Sequence, residues 1–323
     1  MFLPMTLVSA FIALILTHTA FAQPNRPECI APASPGGGFD LTCKLAQRGL
    51  QELDLLPSPM RVTYMPGGIG AVAYNTIVAQ RPDDNDTIIA FSGGSLLNLA
   101  QGKFGRYDET AVRWLAAIGS DYGMIAVRQD SPYQNLADLI EAIKASPADV
   151  VFGSGGTVGS QDWMKSALIF REAGIDLKSM RYVPFEGGGE AQTALLGGHI
   201  QAYSGDISEV KGMLEGGQLR VLAVMADEPL PAPFDVVPTA KDQGYDVDWP
   251  VIRGFYVGPE VSDEAYQWWQ NAFDEMLASP EFDEYREQRG LLPYSLTGDE
   301  LDTFVKKRVG YYRELAQDFG LVQ

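Results

Sequence analysis

The chain is poor in the residues that most enzymes rely on. Its 323 residues include two histidines and two cysteines, and only His199 follows the apolar N-terminal segment. Catalysis needs an activated nucleophile, a metal, or a paired acid and base. The sequence has no Gly-x-Ser-x-Gly nucleophile elbow and no metal-ligand spacing, and His199 stands in a Gly-Gly-His turn typical of a surface or packing histidine. We therefore expect no catalytic residues, no metal and no cofactor, with an exported hydrolase as the weakest alternative.

Positive charge is also scarce. Lysine and arginine number 24 against 42 aspartates and glutamates, which gives a formal net charge of −18. This excess of negative charge argues against binding to nucleic acid or to anionic membrane surfaces. It does not argue against a small anion, because long-range charge is screened over roughly 8 Å at physiological salt. Backbone N–H groups in a closed cleft are not screened in that way.

Long hydrophobic runs are absent except at the N-terminus, where residues 7–16 are almost wholly apolar. About ten such residues are too few to span a bilayer of roughly 30 Å, which disfavours a membrane anchor. The following Ala20-Phe21-Ala22 has the small-x-small form of a signal-peptidase site. We predict that residues 1–22 are a cleaved signal peptide, although the segment lacks the usual lysine or arginine. No cysteine follows the cleavage point directly, so a lipoprotein is not expected.

The two cysteines lie close together in the sequence. Cys29 falls in an apolar run that is typical of a strand, and Cys43 falls near the start of the next helical pattern. An even cysteine count in an exported protein favours one disulfide. Two buried free thiols are the alternative.

Glycine is abundant where predicted strands end. Three glycines separate the first apolar run from a helical pattern that opens at Asp40. A turn of this kind exposes backbone N–H groups and the positive end of the helix dipole, which together favour an anion. Glycine also allows a ligand to approach the backbone without a Cβ in the way. The alternative is a tight turn capped by Asp40 with nothing bound.

Similar loops recur along the chain, at residues 66–70, 92–95, 153–162 and 186–190. They are not nucleotide loops, because Ala73 replaces the third glycine after Gly68-Ile69-Gly70 and no lysine follows Gly159. Strands and helices alternate throughout, which predicts α/β domains with largely parallel sheets. Ligands bind at the carboxyl ends of strands in such sheets. If two domains face each other, these loops line one interdomain cleft.

Several ordered motifs carry a family resemblance. They are Pro32-x-x-Pro-Gly-Gly-Gly-x-Asp40, Met65-Pro-Gly-Gly-x-Gly70, Ser92-Gly-Gly-Ser95, Gly156-Thr-Val-Gly-Ser160, Tyr182-Val-Pro-Phe185, Gly187-Gly-Gly-Glu190, Leu195-Leu-Gly-Gly-His199 and Val237-Pro-Thr239. From about Glu28 to the C-terminus, the chain resembles the solute-binding proteins of tripartite tricarboxylate transporters, the Bug family. Within that family, the motifs look most like the citrate-type, TctC-like branch.

The resemblance implies a periplasmic, two-lobed α/β clamp like the periplasmic binding proteins, with a mixed sheet flanked by helices in each lobe and strands that cross between lobes. Residues 23–124 plus 250–323 would form domain 1 and residues 125–249 domain 2. A monomer would capture citrate or a related di- or tricarboxylate and deliver it to a two-subunit permease. Other organic acids, aromatic or C4-dicarboxylate, are an alternative, as is a sensor subunit for a two-component system.

The resemblance also assigns ligand-binding residues by position. In the first domain these are Gly37, Gly38, Asp40, Ser92 and Gly93, and in the second they are Thr157, Ser160, Gln161, Gly187, Gly188 and Asp206. Arg253 precedes a predicted crossing strand, where it would meet a further carboxylate of the ligand. The alternative for Arg253 is a surface salt bridge.

Overall fold

The computed structural model describes residues 23–321, so the predicted signal peptide lies outside the described residues. The strands are β1 (Glu28–Ala31), β2 (Arg61–Tyr64), β3 (Thr87–Ser92), β4 (Arg113–Arg128), β5 (Val151–Gly155), β6 (Arg181–Phe185), β7 (Ala202–Asp206), β8 (Leu219–Val224), β9 (Pro250–Val257) and β10 (Leu296–Thr297). The α-helices are α1 (Gly38–Glu52), α2 (Ala71–Gln80), α3 (Gly93–Ala100), α4 (Leu136–Ala145), α5 (Gln161–Glu172), α6 (Gly188–Leu196), α7 (Ile207–Glu215), α8 (Asp263–Leu277), α9 (Pro280–Gln288) and α10 (Gly298–Asp318). Within residues 23–321, no helix has the length and apolarity needed to cross a membrane.

The strands form one mixed sheet in the order β2-β1-β3-β9-β4-β7-β5-β6, and β8 and β10 pair with β4 outside this path. The outer groups are parallel: β1 pairs with β2 and β3, and β5 pairs with β6 and β7. The central strands are antiparallel, because β9 runs against both β3 and β4. The predicted α/β architecture with a mixed sheet and flanking helices is confirmed, and the expectation of largely parallel pairing is corrected at the centre.

Strand β4 connects the two halves of the sheet. Its first part, Arg113 to Tyr122, pairs with β9, whereas Gly123 to Arg128 pairs with β7 and β8. The sequence predicts only a short strand at Met124–Val127, so the first part of β4 is a correction. Its residues are almost all buried. A strand covered on both faces loses the alternation of apolar and polar residues that marks a strand in sequence.

The first glycine loop is held between two packed elements. Cys29 in β1 and Cys43 in α1 are both fully buried and are joined by a disulfide, with a Cα–Cα distance of 5.7 Å. Leu45 and Leu50 of α1 are buried in the same core as the disulfide, and this core also contains Trp269 of α8. The loop of residues 32–37 therefore connects a strand and a helix that are fixed to one another.

Candidate functional site

Two glycine loops from opposite halves of the sheet meet backbone to backbone. The loop before α1 contacts the loop before α6 so closely that a Cβ on Gly37 would lie 3.1 Å from the backbone nitrogen of Gly188. A Cβ on Gly189 would overlap the carbonyl oxygen of Pro35. Gly36 has a φ of +91°, which favours glycine. Glycine is therefore required for the contact itself, beyond its role in each turn.

The helices that follow these loops begin without side-chain caps. Gly37 is the N-cap of α1 and Gly187 is the N-cap of α6, and neither helix has a side chain that caps its first turn. The N–H groups of a first turn have no acceptor within the helix. They carry the partial positive charge of the helix dipole. Two sets of backbone donors are thus brought to the place where the halves of the molecule meet.

The cleft at this meeting point collects most of the predicted site. Its lining includes eight of the residues assigned from the resemblance, namely Gly37, Gly38, Ser92, Ser160, Gln161, Gly187, Gly188 and Arg253. The other lining residues are Ala33, Phe39, Ile69, Gly155, Asp162 and Glu209. Its volume is about 40 Å³, room for roughly three waters. An organic acid with several carbon atoms needs the cleft to widen, or needs space beyond it.

Four assigned residues lie outside the lining of this cleft. The carboxylate of Asp40 accepts hydrogen bonds from the Gly36 N–H and the Tyr64 hydroxyl, each at 2.8 Å, so it braces the first loop from behind. Gly93 opens α3, where a Cβ would lie 3.0 Å from the Tyr312 hydroxyl. The other two are Thr157, which lines a neighbouring cavity, and Asp206, which lies behind the cleft.

Ser160 and Gln161 differ in how far their polar atoms are already used. The Ser160 hydroxyl donates to the Gly155 carbonyl at 3.0 Å and accepts from the Trp163 N–H at 3.3 Å, as the N-cap of α5. The amide oxygen of Gln161 is buried without a hydrogen-bond partner in the described part of the chain. Gln161 therefore borders the cleft and has an acceptor that no described residue uses, whereas Ser160 mainly holds the start of α5.

Arg253 is the centre of a buried charge network behind the cleft. Its side chain is 1% exposed, and its guanidinium donates to Asp121 at 2.7 Å, to Asp206 at 2.8 Å and to Glu209 at 3.3 Å. The surface salt bridge considered from the sequence is therefore wrong. The N–H donors of Arg253 are largely occupied by hydrogen bonds to carboxylates of the protein, although the Arg253 side chain still borders the cleft.

Lys165 extends the same network and is also fully buried. Its ammonium pairs with Asp162 at 2.6 Å and with Asp206, and it donates to the Gly205 carbonyl at 3.1 Å. Four carboxylates thus face two cations. Burial and the nearby charge of Asp206 raise the pKa of Glu209 to about 7. Burial raises the pKa of Asp162 to about 6 against the opposing effect of Lys165.

The raised pKa values reduce the negative charge beside the cleft. A carboxyl group with a pKa near 7 is partly protonated at neutral pH, so the network is less anionic than its formal charge. An anion entering the cleft meets less repulsion as pH falls from 8 towards 6. Backbone donors and a partly protonated network are therefore compatible with a bound carboxylate.

The pKa of Glu209 leads to a prediction for stability. The folded state holds this proton more tightly than the unfolded chain, so the free energy of unfolding falls as pH rises from about 4.5 through about 7. Glu209→Gln removes the buried charge while keeping the shape. We expect the variant to exceed the parent by about 2–3 kcal/mol at pH 8 and to match it near pH 5. Urea unfolding at both pH values measures this.

Glu275→Gln is the matched control, because Glu275 lies on α8 and is exposed. It should be neutral at both pH values. Destabilisation of Glu209→Gln that is equal at pH 5 and pH 8 would show that the pKa of Glu209 is not raised in the folded state, against this account.

The network was missed in the sequence because its members are far apart. Asp121 and Arg253 are separated by 132 positions, and carboxylates in a chain of net charge −18 are expected to be solvated. One local signal was available. Lys165 interrupts the apolar residues of α5, and a lysine buried there needs carboxylate partners.

A mixed sheet whose halves are joined by β4 and β9, with glycine loops that meet at a cleft, is a periplasmic-binding-protein-like α/β fold. A family profile then matches residues 46–321: the chain belongs to the receptors of the tripartite tricarboxylate transporter family, TctC. The family resemblance drawn from the motifs is confirmed.

Known proteins are similar to this chain in sequence or in fold. A UPF0065 protein of Bordetella pertussis is 23% identical over 316 residues, which cover 97% of this chain and 96% of that protein. The solved structure of the periplasmic binding protein BugD has a TM-score of 0.83 at 19% identity, over 93% of this chain and 99% of BugD. MatC from Rhodopseudomonas palustris, solved with bound malate, has a TM-score of 0.78 at 18% identity, over 90% of this chain and 98% of MatC.

Proposed function

We propose that this protein is a periplasmic solute-binding receptor that captures a small di- or tricarboxylate and delivers it to a two-subunit permease. The observation that carries the proposal is the pair of uncapped helix starts, at α1 and α6, brought together by glycine loops. The malate bound to MatC supports a carboxylate ligand, since MatC shares the fold. The unused acceptor of Gln161 favours a ligand that also carries a hydroxyl group, so citrate is the first ligand to test and malate, a C4-dicarboxylate, the second.

Backbone donors can supply enough affinity for this role. A micromolar dissociation constant corresponds to about 8 kcal/mol. A hydrogen bond to a charged group contributes roughly 1.5–3 kcal/mol. About five to seven such bonds are sufficient after the ordering costs of association, and the first turns of α1 and α6 supply several of them.

We further propose that the receptor works by closure of two domains, residues 23–124 plus 250–323 and residues 125–249. The boundary between the two domains near residue 124 is supported by β4, whose pairing partners change between Tyr122 and Gly123. A ligand held by both glycine loops favours the closed arrangement over the open one. The receptor acts as a monomer on this proposal.

Thermal unfolding of residues 23–323 in a ligand panel tests the function. Citrate, malate, succinate and benzoate are compared with trimethyl citrate, a neutral analogue. A ligand present at 100 times its dissociation constant adds about 2.7 kcal/mol to the stability of the folded state, which raises Tm by roughly 5 °C. We expect at least one di- or tricarboxylate to do this and the ester to have no effect. A panel without any shift, or an equal shift with the ester, would oppose the proposal.

A further inference from the structure

A second and larger cavity adjoins the cleft. Its volume is about 340 Å³, against about 40 Å³ for the cleft itself. Ile69 and Ser160 line both spaces. A ligand too large for the cleft therefore has room immediately beyond these two residues.

Ile69 forms the wall between the two spaces in an unusual conformation. Its φ of +45° lies in the left-handed region, which a β-branched residue rarely adopts. The Asn98 side chain donates to the Ile69 carbonyl at 3.1 Å, and a Cβ on Gly156 would lie 2.7 Å from Ile69 Cγ1. Ile69 is thus held by Asn98, from its own half of the molecule, against Gly156 of the other half. Such strain is typical of functional positions.

The larger cavity contains a cation without an anionic partner. Among the described residues, Lys103 is the one lysine or arginine that lines it. Its ammonium donates to the Val158 carbonyl at 3.3 Å, and no salt bridge to Lys103 is present within residues 23–321. Burial lowers the pKa of Lys103 from its ordinary value. An anionic group beside Lys103 would oppose this effect of burial and stabilise the charged ammonium.

Two carboxylates also line the larger cavity and do not neutralise Lys103. Glu186 and Glu190 are both exposed at its rim. The Glu190 carboxylate already accepts from the Ser34 hydroxyl at 2.6 Å and from the Glu186 N–H at 3.3 Å. Water screens exposed charges of this kind. Among the residues that line the larger cavity, the Lys103 ammonium is the one positively charged group that an anionic part of a ligand can meet.

We propose that Lys103 forms a second anion subsite and sets the substrate class of the receptor. The ligand spans both spaces, with one carboxylate at the starts of α1 and α6 and a second carboxylate on the Lys103 ammonium. This rests on the proposed carboxylate-binding function and narrows it to acids with two carboxylates separated by a carbon chain. Lys103 is then the residue that discriminates dicarboxylates from monocarboxylates.

Calorimetry with paired ligands tests the subsite. Straight-chain dicarboxylates of four to seven carbons are each compared with the monocarboxylate of equal length. We expect at least one dicarboxylate to bind the parent protein about 10-fold or more tighter than its pair. Lys103→Met should weaken that dicarboxylate by about 10- to 100-fold and leave the monocarboxylate within about twofold. Lys103→Gln serves in parallel, should the methionine variant fold poorly.

Lys178→Met is the matched control, because Lys178 is exposed and lines neither space. It removes one positive charge and should change neither affinity. If the Lys103 variants weaken both members of a pair equally, or neither, the subsite is wrong while the proposed function stands. If the parent protein binds no carboxylate of either series or of the earlier panel, the proposed function fails as well.

Discussion

Arg253→Met is expected to lower the free energy of unfolding by about 3–5 kcal/mol, the usual effect of removing one partner from a buried ion pair. The methionine leaves Asp121, Asp206 and Glu209 without the guanidinium that now contacts all three. Lys165 remains but is shared between Asp162 and Asp206. Urea unfolding of the ligand-free protein at pH 8 gives the value, and the loss should shrink at pH 5 as Glu209 is protonated.

Arg61→Met is the control for this change. Arg61 pairs with Glu28 at 3.3 Å, but its side chain is 70% exposed, so its removal should lower stability by less than about 1 kcal/mol. If Arg253→Met is no more destabilising than Arg61→Met, the buried network does not stabilise the join between the two halves of the sheet.

Gly37→Val is expected to weaken carboxylate binding by about 100-fold while the protein still folds. The valine Cβ would lie 3.1 Å from the Gly188 nitrogen, and its methyl groups would reach further into the opposite loop. The φ of Gly37 is −99°, which valine adopts without strain. The change therefore acts on the meeting of the two loops and leaves the turn intact. Calorimetry gives the affinity, and Tm without ligand reports the fold.

Gly310→Val makes the same substitution on α10, where a Cβ would meet nothing within 4 Å. It should leave the affinity unchanged. Gly37→Ala should give an intermediate loss, because the opposite backbone needs to shift by only a few tenths of an ångström. Binding by Gly37→Val within a few-fold of the parent would remove the loop contact from the account.

The glycine loops could be located from the sequence because their signals are local. The three glycines before Asp40 and those after Glu186 mark where a strand ends and a helix begins, and α1 and α6 start there. The disposition of the two loops against each other is not local. It depends on β4 and β9, which join the halves of the sheet through antiparallel pairing. No turn motif in the sequence predicts this pairing.

The charge network also depends on contacts between residues far apart in the sequence, which local patterns do not predict. The sequence predicts that Arg253 precedes a strand, whereas in the structure it lies within β9, and its burial follows from pairing of β9 with β3 and β4. Lys103 follows a glycine in a polar turn and resembles any surface lysine in the sequence. Only the fold places it opposite Val158 and in a cavity next to the cleft.

The central claim is that backbone N–H groups at the starts of α1 and α6 bind the carboxylate. Amide NMR spectra of the deuterated protein, recorded during titration with the carboxylate that gives the largest thermal shift, test it most directly. We predict that the amide protons of Gly37, Gly38, Gly188 and Gly189 move downfield together and saturate with the calorimetric affinity. Saturable shifts that leave these four glycines unchanged and fall elsewhere would contradict the claim.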